Sequence, residues 1–146
     1  MSLASEFNLS PSDSVLAALS LLAAVDKSLR THLPAYLAQT PSLAAARAGF
    51  IIPLIVDMAD APDGVETVLE VLESCVPPHL GETAYILCAD YIAGFSDSDP
   101  ALLRLLERLA TCFSLDRLTR AALDRAALAR SRNLDPLLDG VSDEHA

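Results

Sequence analysis

The chain has 146 residues, of which 52% are hydrophobic and 5% aromatic, and its 20 acidic and 10 basic residues give a formal charge of −10. This length is typical of one domain and is enough to bury a substantial core. Leu and Ala dominate the hydrophobic residues, which favours helices over strands. The acidic balance argues against nucleic acid as a partner, because such binding depends on Lys and Arg that neutralise phosphates.

The first predicted helix begins at a Ser-Pro pair. Ser10 is a favourable N-cap, Pro11 fits the first helical position and Asp13 lies in the first turn. Apolar side chains then recur on one face at Val15, Leu19, Leu22 and Leu29. Residues 1–9 show no basic segment followed by an apolar core, so we expect a flexible N-terminus and a cytoplasmic protein.

Two further start signals lie in the middle of the chain. Thr40 before Pro41 predicts a helix that continues to about Asp60. Asp63, with Glu66 three residues later, resembles a capping box and predicts a helix to about residue 76.

The apolar run FIIPLIVDM at 50–58 is the one candidate for membrane contact. It is too short to span a bilayer, and it contains Pro53 and Asp57. We therefore predict a buried helix that is kinked or bounded at Pro53, and no transmembrane segment. Peripheral membrane contact stays open as an alternative.

The clearest helical pattern follows Pro77 and Pro78, which break the chain and open a new helix. Apolar residues then keep a period of 3.6 over four turns, at Leu80, Ala84, Leu87, Cys88, Tyr91, Ile92 and Phe95. No part of the chain shows the alternation of a strand. The sequence thus predicts an all-α bundle of six or seven helices over residues 10–133.

Two more helices complete the predicted domain. Asp99 is an N-cap with Pro100 at the first helical position, and Ser114 caps a last helix that has Asp116 in its first turn. The predicted buried face of the first of these helices consists of Leu102, Leu103, Leu106, Leu109, Ala110 and Phe113. Residues 134–146 are acidic and turn-prone, so we expect a loosely held tail.

No catalytic or redox motif is recognisable. The three cysteines show no CxxC spacing and lie on apolar faces, which predicts core residues in a reducing compartment: Cys75, Cys88 and Cys112. The histidines lie far apart without zinc-ligand spacing, at His32, His79 and His145. We therefore predict neither an enzyme nor a cofactor.

Several segments resemble the C-terminal half of bacterial tellurite-resistance TerB-like proteins. The similar segments are GETAYILCADYIAG, a polar turn, ALLRLLERL and SLDRLTRAALDRAALAR, all within 77–132. VLAALSLLAAVDKSL, at 15–29, is more weakly similar to the first long helix of that family. The resemblance implies a bundle of two related halves. It also implies a non-catalytic component of a bacterial stress or tellurite-resistance response that binds a protein partner.

In TerB-like domains each half carries an Asp at a helix end and a Glu about seven positions later, which together could gather a divalent cation. In this chain Asp26 keeps the first position, while Leu33, Phe95 and Leu102 stand at the other three. The resemblance therefore implies that this metal site is dismantled.

Three remaining acids could bind a divalent cation such as calcium, or a small ligand, in place of the missing ones: Asp26, Glu82 and Asp90. Each has a simpler interpretation. Asp26 lies on the apolar stripe and could cap a following turn, Glu82 could be a first-turn acid stabilised by the helix dipole, and Asp90 could be solvated.

Arginines are concentrated on the last two predicted helices, which indicates either solvated faces or a surface for an anionic partner. The candidate partner residues are Arg104, Arg108, Arg117 and Arg120. Leu105 and Leu128 fall outside the main apolar stripes of their helices. Apolar surface exposed there leaves a homodimer open.

Overall fold

The computed structural model describes residues 9–96 and 99–131. These residues form seven α-helices and no strand, which confirms the predicted all-α bundle. The helices are α1 Pro11–Val25, α2 Lys27–Ala38, α3 Ala48–Asp60, α4 Gly64–Cys75, α5 Gly81–Phe95, α6 Pro100–Cys112 and α7 Arg117–Ser131. Apart from Leu9, the expected flexible N-terminus lies outside the described residues, and so does the expected acidic tail at 134–146.

Helix α1 is the centre of the bundle. It contacts α2, α3, α4, α5 and α6, and every residue from Asp13 to Ala23 is buried. A helix that is apolar on all sides is expected to be surrounded, and its many alanines let neighbouring helices approach closely. The single apolar stripe predicted for this segment is thus only part of the buried surface of α1.

The start of α1 follows the prediction, and its end bears out the interpretation of Asp26 as a cap. The Asp13 backbone N–H donates to Ser10 Oγ (3.1 Å), and the Ser10 backbone N–H donates to Asp13 Oδ2 (3.2 Å). The helix ends at Val25, because Asp26 adopts an extended conformation and its Oδ1 accepts a hydrogen bond from the Leu29 backbone N–H (2.9 Å). Leu29 therefore belongs to a second helix, which Asp26 caps.

One predicted helix start is wrong, and another lies where predicted but lacks its predicted cap. The Thr40 hydroxyl donates to the Tyr36 carbonyl (2.7 Å) instead of capping, and the chain after it makes only a 3₁₀ turn at Pro41–Leu43. Helix α3 begins at Ala48. Asp63 has a left-handed backbone (φ 55°), and its side chain makes no capping bond to α4, so the predicted capping box is absent.

The connection from α6 to α7 also differs from the prediction. Ser114 has a φ of 58°, and the N–H groups of Ser114 and Leu115 donate to the Thr111 and Ala110 carbonyls (both 3.0 Å), which closes α6. Asp116 then caps α7, since its Oδ1 accepts a hydrogen bond from the Thr119 backbone N–H (2.7 Å). Ser114 therefore ends one helix and does not start the next.

The apolar run at 50–58 lies in α3, which continues through Pro53. Ile51 and Ile55 are buried, whereas Phe50 and Pro53 are exposed, so the run has one buried face and one exposed face. In the described part of the chain, none of the helices combines the length and the hydrophobicity that crossing a membrane requires.

Helices α6 and α7 both pack on α5 and make little contact with each other. Tyr85 bonds to Asp124 and Asp90 to Arg130, so α7 runs in the same direction as α5. On α6 the prediction exchanged two leucines, because it placed Leu103 on the buried face and Leu105 outside it. Leu105 is buried, whereas Leu103 is 46% exposed, because the true stripe follows residues 102, 105, 106 and 109.

Candidate functional site

A groove opens between α6 and α7, with α5 as its floor. It has a volume of about 370 Å³. The apolar lining consists of Ala89, Ile92 and Ala93 from α5, Leu103 and Leu106 from α6, and Ala127 and Leu128 from α7. Alanines on the floor leave space between the two walls that larger side chains would fill. We call it the α5–α6–α7 groove.

Two leucines on the walls of the groove are exposed. Leu103 is 46% exposed and Leu128 is 60% exposed, while Leu106 and Ala127 beneath them are buried. The prediction that Leu128 is exposed is thus confirmed. Large apolar side chains that face each other across a groove are typical of a binding surface, whereas a scattered surface leucine is not.

One end of the groove is closed by charged groups. Arg120 on α7 forms an ion pair with Glu107 on α6 (3.1 Å) and approaches Asp124 one turn along α7 (3.9 Å). The hydrogen bond to Glu107 raises the pKa of the Arg120 guanidinium. This contact joins the last turns of α6 to the first turns of α7.

A buried tyrosine supports this charged end from below. The Tyr85 ring is fully buried in α5, and its hydroxyl donates to Asp124 Oδ1 (2.6 Å). Burial raises the pKa of Tyr85, and the hydrogen bond to the Asp124 carboxylate raises it further. The phenol therefore stays neutral and holds Asp124 in place.

The four arginines predicted to form a partner surface do not lie on one surface. Only Arg120 lines the groove. Arg104 and Arg108 lie on the other side of α6, in a shallow depression that includes Val25 and Val65, and Arg108 pairs with Glu66 on α4. Arg117 is exposed at the first position of α7.

The structure does not bring the three candidate metal ligands together. Glu82 and Asp90 are eight residues apart on α5, or about 12 Å along its axis. Asp90 forms an ion pair with Arg130 (3.0 Å), and Asp26 caps α2. Within the described residues, no three His, Cys, Asp or Glu side chains are grouped so that they could hold a metal ion.

The apolar residues at the positions of the family's acids belong to the core. Leu33 and Leu102 are buried, so a carboxylate at either position would lose its hydration. Phe95 lies in an aromatic cluster on α2 and α5, with ring centroids 5.4 Å from His32, 5.8 Å from Tyr36 and 6.1 Å from Tyr91.

The same cluster is fixed by two phenol hydroxyls. The Tyr36 hydroxyl on α2 donates to the Leu87 carbonyl on α5 (2.9 Å), and the Tyr91 hydroxyl on α5 donates to the Leu29 carbonyl on α2. Burial raises the pKa of both phenols. These crossed hydrogen bonds show that this region is structural.

The cysteines lack the features of reactive thiols. Cys88 is fully buried, and Cys75 and Cys112 are half-buried. Burial raises the pKa of all three, which disfavours the thiolate that a nucleophile or a redox thiol needs. Cys88 is thus a small core residue, as the sequence predicts.

The fold and the groove define a class, a compact all-α bundle that carries an apolar surface groove. In comparisons with known proteins, the chain matched no family model, no curated protein and no solved structure. The resemblance to TerB-like proteins therefore rests on the sequence motifs at 15–29 and 77–132 alone.

Proposed function

We propose that this chain is a non-catalytic protein-interaction domain of the TerB-like type, which acts as a scaffold component in a bacterial stress or tellurite-resistance response. One observation carries the interaction role. Leu103 and Leu128 are exposed on opposite walls of the α5–α6–α7 groove, above a floor of small residues.

The shape of the groove favours an amphipathic helix of a protein partner as its occupant. The groove is bounded by two helices, α6 and α7, and its lining is mainly apolar. A helix laid into such a groove inserts apolar side chains spaced three and four residues apart. Arg120 pairs with Glu107 and approaches Asp124 at the closed end, and the rest of the lining is mainly apolar, so the groove selects mainly for apolar side chains.

Capture of partners from a lysate of the source organism tests the proposal when three full-length chains are compared quantitatively. Leu128→Asp places a charge in the groove, while Leu118→Asp is a matched control on the same helix, since Leu118 is 84% exposed and lies outside the groove. We expect a defined partner to be lost at least about tenfold with Leu128→Asp and retained with Leu118→Asp. Equal capture by all three chains would overturn the proposal.

Two measurements address the biological role and the cation alternative. Tellurium-resistance genes beside the gene for this chain would support the stress-response role, whereas their absence would leave only the interaction role. Calorimetric titration with calcium tests whether Asp26, Glu82 and Asp90 bind a cation. Heat of binding together with a thermal shift at millimolar calcium would favour the cation-binding function.

A further inference from the structure

The charged residues of α6 and α7 are sorted by sign around the α5–α6–α7 groove. The two helices carry six arginines and two acids. Both acids, Glu107 and Asp124, line the groove, and of the six arginines only Arg120 does so. The five arginines outside the lining are Arg104, Arg108, Arg117, Arg125 and Arg130. The charged lining is therefore acidic on balance, although the two helices that form the walls are basic.

The two acids are oriented by groups of the same chain. Arg120 pairs with one oxygen of Glu107, Oε1 (3.1 Å). The hydroxyl of the buried Tyr85 donates to one oxygen of Asp124, Oδ1 (2.6 Å). The other oxygen of Asp124, Oδ2, is 3.9 Å from Arg120 Nε, which is too long for a hydrogen bond. An ionised carboxylate accepts about four hydrogen bonds, so both acids can still accept bonds from a cation of a partner.

Each acid lies one turn from the exposed leucine of its own wall. Glu107 follows Leu103 by four residues on α6, and Asp124 precedes Leu128 by four residues on α7. Side chains four residues apart lie on the same face of a helix, about 6 Å apart along its axis. The groove thus presents an apolar slot between the two leucines and, one turn toward its closed end, two oriented carboxylates.

We propose that the segment that binds this groove is a basic amphipathic helix of the partner protein. Its apolar face packs between Leu103 and Leu128, and a lysine or arginine one turn away pairs with Glu107 and Asp124. The formal charge of −10 on the whole chain attracts such a segment over a longer range. This inference rests on the proposed function, since it names the chemistry of the partner for the same groove.

The same geometry disfavours an acidic helix. A carboxylate at the position of the partner's cation would lie beside both Glu107 and Asp124, and Arg120 is already paired with Glu107. Repulsion between like charges is a common source of specificity between otherwise similar helices. The groove therefore discriminates between partner helices by the sign of one residue.

Helical peptides displayed on phage provide the first probe. Each has about 15 residues, which is enough to form a helix, and carries leucines three and four residues apart. The residues one turn before and after the leucines are randomised. Panning on the full-length chain should enrich Lys and Arg over Asp and Glu there at least about tenfold.

Two neutral substitutions show whether the selected peptides occupy the groove. Leu128→Asn leaves the charges unchanged and should abolish binding, whereas Leu118→Asn, at an exposed position on the same helix outside the groove, should not. Selection of acids as often as bases, or of no peptide that requires Leu128, would overturn the inference.

Charge pairing is then measured with three synthetic versions of one selected peptide, which carry Lys, Gln or Glu at the selected position. By fluorescence polarisation, the Lys version should bind the wild type about tenfold more tightly than the Glu version. In Glu107→Gln this ratio should fall to about threefold. Glu70→Gln is the matched control, because Glu70 is exposed outside the groove and the same net charge is removed, and it should keep the ratio.

The Gln version reports on the shape of the groove, since it carries no charge at the selected position. Its affinity should stay within about twofold between the wild type and Glu107→Gln. An equal loss for all three versions would assign Glu107 to holding the walls and overturn the pairing, and so would an unchanged ratio. If either result is found while partner capture still depends on Leu128, the proposed function stands without a basic partner.

Discussion

Arg47 encloses the carboxylate of Asp13. Its backbone N–H donates to Asp13 Oδ1 (2.9 Å), while its Nε and Nη2 donate to Oδ2 (2.9 and 2.7 Å). Asp13 is 1% exposed and Arg47 is 49% exposed, with its guanidinium 5.0 Å from the ring centroid of Phe50. One acid thus caps α1 and also anchors the loop that leads into α3.

Replacing this buried acid should destabilise the fold. Asp13→Asn removes the charge that Arg47 pairs with, and we expect a loss of about 2 kcal/mol, less than for a fully buried pair because Arg47 can turn toward water. Asp99→Asn is the matched control, because Asp99 is an exposed N-cap and Asn caps about as well as Asp. Urea unfolding measures the free energy of unfolding of both variants. Equal losses of this free energy would show that the ion pair adds nothing beyond capping.

The same carboxylate should make stability depend on acid pH. Burial alone would raise the pKa of Asp13, but the hydrogen bonds from Arg47 and Ser10 outweigh it and lower the pKa below 3.8. Ionised Asp13 therefore contributes stability above the unfolded value, and this contribution is lost as the pH falls through the folded pKa. The difference in unfolding free energy between wild type and Asp13→Asn should shrink from about pH 7 to about pH 3. A constant difference would contradict the assignment.

Gly64 should tolerate no side chain. A Cβ there would lie 1.9 Å from the Met58 carbonyl oxygen and 2.8 Å from the Ala59 carbonyl carbon, both backbone atoms. We expect Gly64→Ala to cost about 3 kcal/mol in urea unfolding. Gly94→Ala is the control, because no atom lies within 4 Å of that Cβ, and it should stabilise α5 by about 0.5–1 kcal/mol. Similar effects at the two glycines would contradict the close approach.

Replacing Ser114 with glycine should stabilise the protein. Its φ of 58° costs a residue with a Cβ about 1 kcal/mol, so Ser114→Gly should raise the free energy of unfolding by roughly that amount. Ser74→Gly, at an exposed position in α4, should instead lower it by about 0.5 kcal/mol. Thermal unfolding of both variants gives the comparison, and a destabilising Ser114→Gly would show that the turn is not strained.

Introducing an acid at a position where TerB-like domains carry one should disrupt this fold. Leu102 is fully buried, so Leu102→Glu would place a carboxylate in the core and cost about 4 kcal/mol or more. Leu103→Glu, at the next residue, should cost less than about 1 kcal/mol because that side chain is half-exposed. Circular dichroism melting curves compare them. A stable Leu102→Glu variant would mean that the core can accept a carboxylate at this position.

Helix starts were predictable where the signal is local. Ser10 and Asp99 cap their helices as the sequence indicates, because each needs only backbone within three residues. At Asp63 the helix starts where the sequence predicts, but the capping bond is absent, because the close approach of Gly64 to α3 coincides with a left-handed backbone at Asp63. Thr40 failed because its hydroxyl bonds backward to Tyr36.

The candidate site was less predictable than the fold. Counting helical positions from Leu102 would have found that Leu105 is buried and Leu103 exposed. The groove itself depends on α6 and α7 packing side by side on α5 with little mutual contact, which no single segment encodes. Asp13 and Arg47 lie 34 positions apart, so no local sequence pattern indicates that they pair.

Helix α7 is attached to the bundle mainly through α5, so the hydrophobic core does not by itself set the separation of the two walls. Between the walls lies the ion pair of Arg120 with Glu107, while Arg130 with Asp90 ties α7 to the floor. Such pairs weaken as dissolved salt screens them. The width of the groove therefore depends on ionic strength. Added salt affects the position of this wall more than it affects the packing of the buried core.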